Sequence, residues 1–173
     1  MKLYWRRTNI AARIVIALFV TVLPFAQGHA NATNAANGSI TVDGKKTEFR
    51  HAYAVTQPSL GSSAKPEAVV VITDKQLSAA TAADRNERQK ARERDGVRML
   101  VVSTDKRPDD VVSIFISVAP MNTTDSTRRF KLALDPVGEK RLKGRLSMDE
   151  PWESFGIKYR IDVSFDAHLL IGK

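Results

Sequence analysis

The chain has 173 residues, contains no cysteine and carries a formal net charge of +8 at neutral pH. The absence of cysteine excludes a disulfide framework, thiol chemistry and zinc sites built from thiolates. The chain is long enough for a leader followed by a single domain with its own hydrophobic core.

The first thirty residues have the composition of a secretory signal peptide. They carry four basic residues and no acidic one, and a mostly apolar run extends from Ile14 to Leu23. Pro24 and the small residues Gly28 to Ala30 follow this run, which predicts cleavage after position 30. An uncleaved anchor is the alternative, but Arg13 and Pro24 leave fewer than the about 20 apolar residues that a spanning helix needs. We therefore expect a periplasmic or secreted protein with no transmembrane span after cleavage.

Cleavage changes the charge of the protein. Residues 1–30 contain four of the 27 basic residues and none of the 19 acidic ones, so residues 31–173 carry a net charge of +4. Much of the apparent basicity therefore belongs to targeting rather than to partner binding.

The exported part begins with a short polar stretch and a β-hairpin. Residues 31–38, N-A-T-N-A-A-N-G, are predicted to form a flexible tether before a single β-rich domain, residues 39–173. From Ser39 onward the side chains alternate with a period of two, and Asp43-Gly44 interrupts the alternation, which predicts a hairpin. The apolar run from Ala68 to Asp74 predicts a central strand.

One helix is expected between Leu77 and Asp95. This stretch is rich in alanine and charge, lacks glycine and proline, and is followed by Gly96. Its acidic and basic residues interleave, and Asp84 stands four residues before Arg88, where the two can pair. We therefore expect a solvated surface helix rather than one that binds a membrane or nucleic acid.

The remainder of the chain alternates as strands do. These strands are expected at 97–103, 111–118, 129–134, 141–148 and 157–170. About eight short strands and one surface helix predict a mainly β (α+β) fold, as an antiparallel β-sandwich or an open barrel.

Three stretches carry a resemblance to known proteins. They are H-A-Y-A at His51–Ala54, I-T-D-K at Ile72–Lys75, and G-R-L-S with Y-R-I-D-V-S-F-D-A in the last two strands. Together they resemble a loose group of small exported bacterial proteins of unknown function, over most of the chain after the leader. The resemblance implies a β-rich envelope protein, and it implies no activity because that group has no catalytic motif to carry over.

Catalytic chemistry has few candidates. Residues 31–173 contain two histidines, His51 and His168, and none of the common nucleophile, zinc or phosphate-loop motifs. Strand alternation places His51 on one face with Phe49 and Tyr53, which predicts a core residue satisfied by a hydrogen bond. We predict no catalytic residue, no cofactor and no metal, with a hydrolase using His51 and a nearby carboxylate as the alternative.

The last strand raises the question of a metal site, because Asp162, Asp166 and His168 share one face. The opposite face is apolar at every position from Ile157 to Leu169, so the three polar side chains point outward. A metal site would need a further ligand and a concave setting. The pattern therefore predicts the wet side of an amphipathic strand.

Sorting the last three strands by face gathers cations on the outer side. We call the following set the basic face: Arg129, Lys131, Arg141, Lys143, Arg145, Lys158 and Arg160. Trp152 and Phe155 lie in the loop at its edge. A field of one sign attracts anionic partners, whereas nucleic acid is disfavoured because no aromatic residues interleave with the cations. Solubilising charge is the alternative.

The sequence therefore predicts an exported, non-catalytic β-domain that acts by binding, or as a structural partner, in the bacterial envelope. An anionic envelope component or another envelope protein is the expected partner. The competing hypotheses are an anion binder that uses the basic face and a hydrolase that uses His51.

Overall fold

The computed structural model describes residues 34–58, 66–104, 112–135 and 140–170, so the predicted leader and its cleavage site lie outside the described residues. The elements in chain order are β1 (Ala35–Val42), β2 (Lys45–Pro58), β3 (Pro66–Thr73), α1 (Ala79–Ala83), α2 (Arg85–Asp95), β4 (Met99–Ser103), β5 (Val112–Val118), β6 (Met121–Thr127), β7 (Lys131–Asp135), β8 (Arg141–Ser147), β9 (Trp152–Ser154) and β10 (Ile157–Leu170). Neither helix in these ranges is long and apolar enough to cross a membrane.

All ten strands form one sheet. Nine follow the order β6-β5-β4-β3-β2-β1-β10-β8-β7, and β9 pairs with β10 outside this path. Neighbouring strands are antiparallel, except for a short parallel contact in which Leu169 and Leu170 pair with Ala54 and Val55. The sheet curls into a half-barrel, which confirms the mainly β prediction in its open-barrel form.

The larger hydrophobic core fills the concave side of this sheet. It includes Phe49, Ile72, Leu100 and Ile161, all at most 1% exposed. Tyr159 on β10 also lies in this core, and its hydroxyl donates a hydrogen bond of 2.5 Å to a carboxylate on β6, Asp125 Oδ2. Because β6 and β10 are far apart in strand order, this bond connects opposite sides of the half-barrel.

A second core lies on the convex side, where α1 and α2 cover part of the sheet. Ala82 and Ala91 from the helices pack with Tyr53 and Val101 from the strands. The Tyr53 hydroxyl accepts a hydrogen bond from Leu77 N at 2.7 Å and donates one to Leu77 O at 3.1 Å. Both backbone groups are thereby satisfied just before α1, which ties the helical segment to β2.

The helical segment differs from the prediction. One helix was expected, but Asp84 has extended backbone angles (φ −95°, ψ 126°) and separates α1 from α2. Its carboxylate caps α2 by accepting hydrogen bonds from Asn86 N and Glu87 N, which lowers the pKa of Asp84. The predicted solvated pairing with Arg88 is wrong, because Arg88 is only 4% exposed. Gly96 ends α2 in the left-handed conformation, as predicted.

The strand count was underestimated. The sequence M-N-T-T-D-S-T of β6 has no apolar alternation, yet it pairs along its length with β5 as the edge of the sheet. β9 has three residues and is too short to predict. The tether was predicted too long, since Ala35 to Gly38 belong to β1. Asn34 is also held, because its side-chain oxygen accepts a hydrogen bond from His168 N at 3.0 Å.

The predicted position of His51 is wrong. Phe49 packs in the concave core and Tyr53 in the convex one, although alternation placed them on one face. The register between β1 and β2 shifts between Ala35 and Gly38, so β2 changes the face of its apolar residues close to His51. His51 is therefore half-buried on the outer side rather than sealed in a core.

Candidate functional site

The basic face lies on the convex side of β7, β8 and β10. The apolar residues of β10 from Tyr159 to Ala167 are buried as predicted, Ile157 and Leu169 pack partly buried against the same core, and Lys158 and Arg160 are exposed. In the register of the three strands, Lys143 stands opposite Asp166, and Arg145 stands opposite Ser164. Directly paired residues point to the same side of a sheet. The outward orientation of the β8 and β10 cations is thereby confirmed.

β7 departs from the prediction in two respects. It begins at Lys131, so Arg129 precedes the strand instead of belonging to it. Leu134 was expected to point into the core but is 39% exposed. Both differences concern the ends of β7, which lies at the margin of the sheet and pairs with β8 alone among the described strands.

Carboxylates neutralise much of the basic face. Arg141 donates two hydrogen bonds to Asp166, at 2.6 and 2.5 Å, and Arg145 donates two to Asp162, both at 2.9 Å. These bonds are the main reason that the pKa values of both aspartates lie below their ordinary value. The two further ion pairs are Lys131 with Asp149 and Lys143 with Asp135.

Three cations of the basic face remain without a carboxylate at ion-pair distance among the described residues: Arg129, Lys158 and Arg160. The guanidinium of Arg129 lies over the Trp152 ring, 4.0 Å from its centroid. In the last strand, Asp162 and Asp166 are both engaged by arginines. Within the described ranges no group of three ligating side chains could hold a metal ion.

A more enclosed site lies between α2 and the convex face of the sheet. It is a cavity of about 130 Å³, which we call the arginine pocket. Its lining consists of Gln57, Arg85, Arg88, Gln89, Arg92, Met99, Val101, Phe115 and Thr124. None of these described lining residues is acidic, and none is a histidine.

The helix contributes one face to the arginine pocket. Arg85, Arg88, Gln89 and Arg92 are spaced at 0, 3, 4 and 7 positions, which places them on the same side of α2. In a surface helix this spacing usually holds the apolar residues that face the core. Here the side turned toward the sheet carries three guanidinium groups.

The sheet contributes an apolar floor. Val101, Phe115 and Thr124 stand directly opposite one another on β4, β5 and β6. Met99 on β4 lies beside them and is 1% exposed. The arginine pocket therefore joins a cationic wall to a hydrophobic wall.

Arg88 is the most buried cation of the pocket, and no carboxylate of the described residues accepts a hydrogen bond from it. It donates hydrogen bonds to Ala82 O at 2.6 Å and to Gln57 Oε1 at 2.9 Å, both of which are neutral acceptors. Burial lowers the pKa of Arg88, and the charge of Arg85 lowers it further, while Asp84 acts in the opposite direction. The positive charge of Arg88 is thus only partly compensated by the protein.

Arg92 has an unused donor. Its guanidinium lies 4.8 Å from the centroid of the Phe115 ring, and its Nη2 donates to Asn122 Oδ1 at 2.7 Å. Its Nε is buried without a hydrogen-bond partner, and it is the one such side-chain nitrogen or oxygen in the described part of the chain. A buried donor left unpaired costs about 1–3 kcal/mol, so an acceptor beside it would be stabilising.

Arg85 occupies an unfavourable position for helix stability. It is the first residue of α2, where the helix dipole favours negative charge. It also raises the positive potential around Arg88. Local helix stability therefore does not explain the placement of Arg85.

The arginine pocket was missed in the sequence because its residues were interpreted as a solvated helix face. The signal was present in the 0, 3, 4, 7 spacing of Arg85, Arg88, Gln89 and Arg92. The helical segment offers only Leu77 and alanines as apolar residues. The side that packs on the sheet therefore has to include polar side chains. The opposite wall of the pocket is formed by strands that are distant from the helix in sequence, so the helix sequence alone does not predict it.

Comparison with known proteins gives no match: no family model, no curated protein and no solved structure is significantly similar to this chain.

Proposed function

We propose that this protein is an exported, non-catalytic β-domain that binds a small anionic ligand in the arginine pocket. One observation carries the proposal: three arginines of α2 converge on a single cavity whose described lining contains no acidic residue. Export to the periplasm or the medium rests on the composition of residues 1–30. This small anionic ligand replaces, as the proposed partner, the anionic envelope component expected from the sequence.

The electrostatics of the pocket favour an anion. Like charges held close together repel, and a partly dry cavity strengthens the interaction relative to bulk water. Arginine presents planar, fixed donors that suit carboxylate and phosphate oxygens. A bound anion would supply the acceptor that Arg92 Nε lacks and the negative charge that Arg88 lacks.

The basic face is the second candidate, as a docking site for anionic lipid or polymer. Lys158 and Arg160 are exposed and have no carboxylate at ion-pair distance among the described residues, which favours it. Four of its seven cations are nevertheless paired with aspartates, so its net field is weaker than the sequence suggested. The hydrolase alternative has less support, because His51 does not line the arginine pocket.

The experiment compares two double variants that each remove two positive charges. Arg85→Gln with Arg92→Gln alters the arginine pocket, and Lys158→Gln with Arg160→Gln alters the basic face at two exposed cations that have no carboxylate at ion-pair distance among the described residues. The exported protein is titrated with sulfate and with benzoate at constant ionic strength, and binding is measured by calorimetry and by the shift in thermal unfolding. We expect the pocket variant to lose at least about tenfold in affinity, since each charge-assisted hydrogen bond contributes about 1.5–3 kcal/mol.

The face variant should stay within about twofold of the unaltered protein. An equal loss in both variants would attribute binding to net charge and contradict the pocket. A loss of anion affinity in the face variant alone would indicate that the basic face is the binding site. Adsorption to anionic vesicles that declines with salt would then be expected.

A further inference from the structure

We propose that the ligand of the arginine pocket is a monocarboxylate attached to a ring-sized apolar body. This inference rests on the proposed function and specifies the chemistry of its ligand. It is drawn from the size of the cavity, the unpaired donor on Arg92 and the apolar floor.

The size of the cavity limits the ligand. A cavity of about 150 Å³ lined by apolar side chains holds one benzene molecule, and the arginine pocket measures about 130 Å³. Sites for drug-sized ligands are larger, at about 300–1,000 Å³. The pocket therefore accommodates one six-membered ring or a short branched chain.

The cationic wall specifies the head group. The guanidinium of Arg92 is fixed by the Phe115 ring on one side and by Asn122 on the other, with its buried Nε–H unpaired. A small rotation of the Arg92 side chain would bring this Nε–H to a carboxylate oxygen in the pocket, which would accept the hydrogen bond. The exposed Arg85 can reach the same anion from the first turn of α2.

The floor specifies the rest of the ligand. Met99 and Val101 are almost fully buried, so the apolar surface that the floor offers to a ligand belongs mainly to the half-buried Phe115 ring. A small hydrated anion such as sulfate would leave this surface without a partner. An apolar body attached to the carboxylate would instead cover it, and removing apolar area from water is favourable.

The test is a titration of the exported protein with four probes: benzoate, acetate, sulfate and benzyl alcohol. Benzoate should bind at least about tenfold more tightly than acetate, because a buried ring adds several carbons at about fourfold each. Sulfate lacks the apolar body and benzyl alcohol lacks the charge, so both should also bind at least about tenfold more weakly than benzoate.

Equal affinities for benzoate, acetate and sulfate would overturn this inference but leave anion binding in the pocket standing. Tighter binding of benzyl alcohol than of benzoate would overturn both, as would the absence of binding by any anion at millimolar concentration.

A single conservative variant tests the role assigned to Arg92. Arg92→Lys keeps the positive charge but removes the Nε–H donor, and it should weaken benzoate binding by about tenfold. Arg94→Lys, at an exposed position in the last turn of α2, is the matched control and should not change it. Urea unfolding of both variants reports whether the fold is retained. Unchanged benzoate affinity in folded Arg92→Lys would contradict the assignment.

Discussion

The hydrogen bonds between Tyr53 and Leu77 offer the sharpest test of how the helical segment is held on the sheet. Tyr53→Phe removes one hydroxyl and leaves the N–H and the C=O of Leu77 without their partner. Both residues are at most 9% exposed, so water does not readily replace the lost bonds. An unsatisfied buried group costs about 1–3 kcal/mol, and part of this cost is relieved by local movement. We expect a loss of about 2–3 kcal/mol in the free energy of unfolding.

Urea unfolding followed by circular dichroism measures this loss. The midpoint should fall while the slope stays unchanged, because the surface exposed on unfolding is the same. Thr56→Val removes an exposed hydroxyl from the same strand and should change the free energy by less than about 0.5 kcal/mol. A similarly small change for Tyr53→Phe would refute the idea that this hydroxyl anchors the segment before α1.

Three further outcomes are expected. Burial raises the pKa of Tyr53 and Tyr159, the two tyrosines of residues 31–173. Absorbance at 295 nm should therefore stay flat through about pH 10, where free tyrosine ionises, and stability should fall above that pH because only the unfolded chain releases the protons. Arg145→Gln should raise the pKa of Asp162 toward its ordinary value in a carboxyl NMR titration, because the arginine hydrogen bond is the main cause of its depression. Gly38→Ala should cost roughly 2–4 kcal/mol in a urea melt, since φ is +139° and an added Cβ would lie 2.2 Å from a backbone oxygen of β10.

The strands that bury one face were predictable from the sequence. In β10 the alternation of Tyr159, Ile161 and Val163 with polar residues places each on its observed side. The Asp43-Gly44 turn was likewise predictable, because both residues have the positive φ values that a tight hairpin requires. In these elements the alternation in the sequence matches the burial of each side chain in the folded sheet.

The edge strand and the change of face in β2 were not predictable by the same means. Among the described strands β6 pairs with β5 alone, and its polar sequence lacks the apolar signal of an inner strand. The change of face near His51 accompanies a register shift with β1, which depends on pairing between strands. Periodicity within one strand contains no information about such a shift.

The arginine pocket was predictable only in part. The helical wall could be inferred from the spacing of Arg85, Arg88 and Arg92 on α2. The floor could not, because Val101, Phe115 and Thr124 come together through the pairing of β4, β5 and β6. The burial of Arg88 depends in turn on Gln57, which is 31 residues away in sequence. Charge composition therefore predicts the solvated side of α2, in which only Arg88 and Ala91 are buried, but not the cavity beneath the helix.

The most direct test of the central claim, that the arginine pocket binds an anion, is a proton–nitrogen NMR spectrum of the arginine Nε–H groups during titration with benzoate. The resonance of Arg92 should shift and its exchange with water should slow as the unpaired Nε–H gains an acceptor, while that of the exposed Arg94 stays unchanged. Equal and small shifts for both residues, or none for Arg92 at saturating benzoate, would contradict the claim.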